Sequence, residues 1–92
     1  MSRKPLEFQP GAILHDVLIG AFRAQGRTFD GWCKENGYSP MNVRNATFGQ
    51  SRGVTAKAYL EHVIEGAGRE FVRDAYARRL AEHAAQFAKG AA

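Results

Sequence analysis

The sequence predicts an all-α fold of about five helices, built as a compact bundle that contains a helix-turn-helix motif. Apolar residues recur every three or four positions, as they do on one face of an α-helix. No segment alternates apolar and polar residues over a useful strand length, and glycines or capping residues separate the periodic segments. With 92 residues, the chain is long enough for one domain and one modest core.

The first segments are an arm and a long helix. Residues 1–9 are predicted to form an extended N-terminal arm. A helix follows from about Pro10 to Gln25, with Pro10 in the first turn, where a missing N–H costs nothing, and Gly26 after its end. The apolar stripe of this helix comprises Ile13, Leu14, Val17, Leu18, Ala21 and Phe22.

A second, short helix is predicted after Thr28, which is a good N-cap residue. Its apolar face comprises Phe29, Trp32 and Cys33. Gly31 weakens it, because glycine costs up to about 1 kcal/mol inside a helix. Gly37 stands where a left-handed conformation is needed to end the helix, and glycine adopts that conformation at little cost.

A third helix is predicted from Pro40 to Phe48, with Ser39 as its cap and Pro40 at its first position. We expect its inward side to carry Val43, Ala46 and Thr47. A polar loop over 49–53 follows.

Two further helices complete the chain. Thr55 is predicted to cap the fourth, which Gly66 and Gly68 interrupt after an apolar stripe of Tyr59, Leu60, Val63 and Ile64. The last runs from about Arg69 to Lys89, so that residues 10–68 form the helix-turn-helix domain and residues 69–92 a C-terminal helix.

The C-terminal helix has two interpretations. Its residues Tyr76, Leu80, His83 and Phe87 repeat at intervals of four, three and four, which is the pattern of a short dimer seam. In the other interpretation Phe71, Val72 and Tyr76 pack on the chain's own core, and the Ala-rich end frays. A homodimer and a different protein partner are therefore both open.

The segment from Thr28 to Phe48 has the layout of a helix-turn-helix motif, because two capped short helices meet at a glycine turn. Cys33 is small enough for the close crossing of the two helices, and Val43 anchors the second helix. The outward face of that second helix would carry Met41, Asn42, Arg44, Asn45 and Phe48. Amide and guanidinium groups pair with adenine and guanine edges, so this face predicts binding to double-stranded DNA.

The net charge and its distribution along the chain also predict binding to DNA. The net charge is +4, and no Asp or Glu occurs from Asn36 through Leu60. Within and beside this window, side chains predicted to hold phosphates and fix the register are Arg27, Gln50, Ser51, Arg52 and Lys57. An adaptor that binds another regulator or a polymerase through the same scaffold is the alternative.

The run Gly37-Tyr38-Ser39-Pro40, followed by Val43 and Asn45-Ala46, resembles the motif of Ner-like regulators of phages and bacteria, and more loosely the lambda-repressor-like superfamily. The similarity covers about Leu14 to Glu65. It implies a sequence-specific transcription regulator of phage or prophage type. By position, the residues it implies for base edges are Ser39, Met41, Asn42, Arg44 and Asn45. Beyond Glu65 the chain has a long basic helix where those proteins have a short tail.

Other chemistry has little support in the sequence. Cys33 is the only cysteine, and the three histidines, His15, His62 and His83, share no ligand spacing, so we expect neither a metal site nor another cofactor. No carboxylate pair, Ser-His combination or complete phosphate loop is present, and we expect no enzyme activity. No apolar run is long enough to span a bilayer and no signal core follows the basic N-terminus, so we expect a cytoplasmic protein that does not bind membranes.

Overall fold

The computed structural model describes the backbone of residues 8–91 and the side chains of residues 8–86. Within this range it contains five α-helices and no strand, which confirms the all-α prediction. In chain order the helices are α1 (Ala12–Ala24), α2 (Phe29–Glu35), α3 (Pro40–Phe48), α4 (Val54–Ala67) and α5 (Arg69–Ala91). None of the described helices is both long enough and apolar enough to cross a membrane.

Several predicted helix ends are confirmed. The Thr28 hydroxyl accepts a hydrogen bond from the Gly31 N–H at 3.0 Å, as an N-cap does. A Cβ at Gly31 would lie 2.8 Å from that hydroxyl, so the glycine leaves room for the cap. Gly37 has a φ of 73°, in the left-handed region, and Pro40 stands at the start of α3.

Three predicted details are wrong. Pro10 precedes α1, whose N-cap position is taken by Gly11. Thr55 lies inside α4, because Gly53, with a φ of 118°, turns the chain into the helix two residues earlier. The third is only partly wrong: Ser39 does occupy the predicted N-cap position of α3, but its side chain makes no capping hydrogen bond.

One core joins all five helices. The largest fully buried side chains of this core are Leu14, Leu18, Phe22, Val43, Val63, Ile64 and Val72. Phe8, which belongs to the predicted arm, is also buried, and its ring lies 5.6 Å from that of Tyr76. The rest of that arm, residues 1–7, lies outside the described residues.

The helix pair α2 and α4 meets at Trp32 and Gly66. Trp32 is buried, and a Cβ built on Gly66 would overlap its indole ring. Gly66 is therefore part of α4 and does not interrupt it. The interruption comes at Gly68, whose φ of 101° separates α4 from α5.

Helix α5 packs on the core only through its first half. Val72 and Tyr76 are buried, as the core-packing interpretation of this helix predicts, but Phe71 is 52% exposed, so its assignment to the core in that interpretation is wrong. Every described side chain from 77 to 86 is exposed. An ion pair between Arg79 and Asp16, at 3.6 Å, ties this part of α5 to α1.

Candidate nucleic-acid interface

The turn before α3 is fixed by backbone hydrogen bonds. The N–H of Tyr38 donates to the carbonyl of Cys33 at 2.8 Å, and the N–H of Gly37 donates to that of Lys34 at 3.1 Å. These two bonds, with glycine in the left-handed conformation, form a Schellman motif. The motif reverses the chain within residues 36–39, so that α3 starts in a defined direction relative to α2.

The inner face of α3 is apolar, as predicted. Val43, Ala46 and Thr47 are buried, and so is Cys33 on α2. Burial raises the pKa of the Cys33 thiol to about 11, mainly because the thiolate is poorly solvated there. A thiol with this pKa is inert at neutral pH, in agreement with a packing role for Cys33.

The outer face of α3 carries the residues predicted to contact base edges. Ser39, Met41, Asn42 and Arg44 are exposed, and Met41 is 68% exposed. Asn45 is half-buried. Its backbone carbonyl accepts hydrogen bonds from the N–H groups of Gln50 and Ser51, at 2.9 and 3.2 Å. The following loop therefore folds back on Asn45 and links it to two of the predicted phosphate contacts.

Arg44 makes one weak ion pair. Its Nη2 lies 3.5 Å from Oδ1 of Asp30, in the first turn of α2, and both side chains are about half exposed. A pair of this kind contributes roughly 0–1 kcal/mol, so the guanidinium remains able to bind another acceptor. Asp30 thus holds Arg44 loosely at the outer face of α3.

Three of the predicted phosphate contacts lie together. Ser51, Arg52 and Lys57 line a groove of about 620 Å³ between the end of α3 and the start of α4. All three are exposed, as is Gln50 beside them. The floor of the groove is apolar, but Glu61 also lines it, so its charge is mixed.

The start of α4 lies beside the same groove. Gly53 provides no side-chain cap, and the first turn contains no acidic residue. The first N–H groups of a helix carry partial positive charge and favour anions. This helix end, with Arg52 and Lys57, would attract phosphates.

Arg27 stands apart from this groove. Its guanidinium lies 3.6 Å from a carboxylate oxygen of Glu35 and over the ring of Phe22, at 5.5 Å from the centroid. The contacts seen for Arg27 are with α1, α2 and the turn between them. The structure therefore does not bring Arg27 together with Arg52 and Lys57.

Sequence reasoning missed His15. It was weighed only as a metal ligand, but its ring is buried, with Nδ1 2.8 Å from Oγ1 of Thr47 on α3. The available signal was its spacing, because His15 lies three residues before Leu18 and seven before Phe22 on the apolar stripe. Its pKa is lowered, first by burial and then by the positive charge of Arg44, against smaller opposing effects of two carboxylates, Asp16 and Asp30.

Among the described residues, no three His, Cys, Asp or Glu side chains are grouped as metal ligands would be. Comparison of the chain with protein-family models, curated proteins and solved structures finds no match.

Proposed function

We propose that this protein is a sequence-specific DNA-binding transcription regulator of phage or prophage type, and that α3 enters the major groove. The observation that carries the proposal is the outer face of α3, where Asn42 and Arg44 are exposed on a helix that contains no acidic residue. A solvated surface helix usually carries charged pairs of both signs. Amide and guanidinium groups without carboxylates instead suit base edges and phosphates.

The roles of individual side chains follow from their chemistry. Arg44 pairs with O6 and N7 of guanine, and Asn42 with N6 and N7 of adenine, each through two hydrogen bonds. Met41 supplies an apolar contact for the methyl group of thymine. The resemblance of the turn and of α3 to Ner-like regulators supports the same assignment, in which Ser39 and Asn45 also approach base edges.

Phosphate contacts fix the register of α3 in the groove. Arg52 and Lys57 approach one strand together with Gln50, Ser51 and the N-terminus of α4. Arg27 approaches the backbone separately, from the start of α2, after release from Glu35. Each phosphate that is neutralised makes binding more salt dependent, with a slope of about −0.9 on a logarithmic plot.

Selection of bound sites from random duplexes tests the proposal, followed by affinity measurements on the selected and on a scrambled duplex. Arg44→Ala should reduce the discrimination between them by about 1–3 kcal/mol, because one bidentate base contact is lost. Arg23→Ala is the matched control, since Arg23 is an exposed arginine on α1 outside the predicted interface. Equal weakening of both duplexes by Arg44→Ala would make Arg44 a phosphate contact.

Arg52→Ala and Lys57→Ala should behave differently from Arg44→Ala. Each should weaken both duplexes alike and make the salt slope shallower by about 0.9. Failure to select any duplex, together with salt-independent binding, would contradict the proposal.

The alternative function, an adaptor that binds another regulator or a polymerase, is favoured by the exposure of large apolar side chains on α5. Phe71 is 52% and Leu80 42% exposed. Salt-dependent duplex binding separates the two functions, because only a DNA-binding protein requires it.

A further inference from the structure

His15 lies on α1 and contacts both helices of the candidate motif. Its ring stacks on Phe48 of α3, with centroids 4.4 Å apart, and meets the edge of Phe29 of α2 at 5.1 Å. Its Nδ1 lies 2.8 Å from the hydroxyl oxygen of Thr47. Within the described part of the chain, His15 and Thr47 are the polar side chains buried in an otherwise apolar core.

The hydrogen bonds of Thr47 determine the tautomer of His15. The Thr47 hydroxyl donates to the backbone carbonyl of Arg44 at 2.9 Å. A hydroxyl has one hydrogen, so its oxygen is the acceptor toward His15. Nδ1 of the neutral imidazole therefore carries the proton, and Nε2 does not. Two hydrogen bonds in series thus connect α1 to the backbone of Arg44.

These bonds constrain α3 in a way that its apolar contacts do not. Burial of Val43 and Ala46 stabilises α3 against the core, but apolar contacts are non-directional and tolerate small rotations. Hydrogen bonds depend on distance and angle. The N–H of Gly11 adds a third bond, to the carbonyl of Thr47 at 2.8 Å, so that α3 is fixed to the start of α1 as well.

We propose that His15 and Thr47 are positioning residues for DNA recognition, which hold α3 at the rotation that presents Arg44 to the base edges. This inference rests on the proposed function. Neither residue touches DNA, since Thr47 is buried on the inner face of α3 and His15 is buried beneath it on α1. Their effect reaches the duplex through the backbone of Arg44 and through the ring of Phe48.

Thr47→Val tests the proposal, with Thr47→Ser as the matched control. Valine keeps the shape of threonine but removes the hydroxyl, which leaves the Nδ1–H of His15 without its acceptor; serine keeps the hydroxyl. At a temperature where circular dichroism shows both variants fully folded, Thr47→Val should bind the selected duplex about tenfold more weakly, because a displaced Arg44 loses much of its bidentate base contact. Thr47→Ser should stay within about twofold of the unmodified protein. Unchanged affinity of a folded Thr47→Val variant would overturn the proposal.

Nitrogen NMR of the unmodified protein provides a test that requires no variant to fold. At neutral pH His15 should show a protonated Nδ1 and an unprotonated Nε2. The hydrogen on Nδ1 should exchange slowly with solvent. The opposite tautomer would overturn the proposal, because Thr47 would then not accept a hydrogen bond from His15.

Hydrogen exchange separates this inference from the proposed function. If the unmodified protein selects no duplex, the proposed function fails. Hydrogen exchange of the backbone amides of α3 still measures how firmly α3 is held on the core. Thr47→Val should accelerate their exchange by about tenfold relative to those of α4. Equal acceleration in both helices, or none in α3, would show that the hydrogen bonds do not position α3 specifically.

Discussion

Helix α3 and the second half of α5 both present an exposed face, but only α3 buries its opposite face in the core. Helix α3 is nine residues long and contacts the core through Val43, Ala46 and Thr47, and left-handed glycines lie in the turn before it and at its C-cap. Beyond Tyr76, α5 continues to Ala91, and its described side chains are all exposed. Helix α3 is therefore packed on the core, whereas the described second half of α5 is not.

The difference indicates which face suits which task. Base recognition requires side chains held within a fraction of an ångström, on an element that does not rotate. Residues 77–91 of α5 extend about 22 Å at 1.5 Å per residue, and an isolated helix of that length would be marginally stable in water. We therefore predict that this segment associates with a partner, which would supply the missing packing.

Val43→Asp should have the largest effect, because it places a carboxylate at a fully buried position where α3 packs on the core. An unpaired charge there costs several kcal/mol, about the stability of a small domain, so the variant should be unfolded by circular dichroism. Met41→Asp is the matched control on the outer face of the same helix, and it should fold normally while binding duplexes more weakly. A Val43→Asp variant with an unchanged melting temperature would contradict the assigned phase of α3.

Gly66→Ala should have the next largest effect, because its Cβ would overlap the Trp32 indole and push α2 away from α4. We expect a loss of roughly 1–3 kcal/mol, the usual cost of overpacking a core. Gly20→Ala is the matched control. Gly20 lies in a helix with nothing within 4 Å of its would-be Cβ, so alanine should stabilise the protein by about 0.5–1 kcal/mol. Chemical denaturation of the two variants measures both effects, and equal shifts would contradict the role of the Trp32 contact.

Rules that depend on neighbouring residues were sufficient to predict most of the features that place α3 on the core. The left-handed Gly37, the Thr28 cap and the burial of Val43 each depend on a few neighbouring residues, and each is confirmed. The predicted starts of α1 and α4 were less accurate, since Gly11 and Gly53 take the N-cap positions where Pro10 and Thr55 were expected to begin the helices.

Contacts distant in sequence were not predictable in this way. The bond between His15 and Thr47 spans 32 positions, and a histidine on an apolar stripe does not by itself name its partner. Burial of Phe8 against Tyr76 spans an even longer interval, and the prolines near it suggested an arm. The predicted base and phosphate contacts remain predictions, because chemistry on a surface does not identify what binds it.

The pH dependence of stability should test the burial of His15 against α3, and this test leaves the outer face of α3 unchanged. The pKa of His15 is lowered by burial and by Arg44, so the unfolded chain binds more protons than the folded one below the ordinary pKa of 6.5. The contribution of neutral His15 is complete above that pH and is lost as pH falls toward the lower, folded pKa. Denaturant unfolding between pH 7.5 and 5 should show this loss. His15→Phe should show a smaller loss, because the buried titrating group is gone. Identical slopes would mean that His15 is not buried as described.

Substitutions in the second half of α5 should have the smallest effect on folding, because no described side chain there belongs to the core. Of the predicted dimer seam, Tyr76 is committed to the chain's own core, where its hydroxyl oxygen accepts a hydrogen bond from the N–H of Gln9 at 3.0 Å. Leu80 and His83 remain exposed, and the side chain of Phe87 lies outside the described residues.

A homodimer through this segment remains our prediction, since one recognition helix contacts few bases and two half-sites bind more tightly and specifically. Leu80→Glu, alone or with Phe87→Glu, should leave the melting temperature within about 2 °C, as surface substitutions usually do, and should abolish self-association in sedimentation. Ala85→Glu is a control of equal charge, because position 85 lies on the helix away from the line of 80 and 87. A protein that is monomeric both free and on its selected duplex would show that this face is not an interface between copies, and the exposed apolar residues of α5 would then favour a different protein partner.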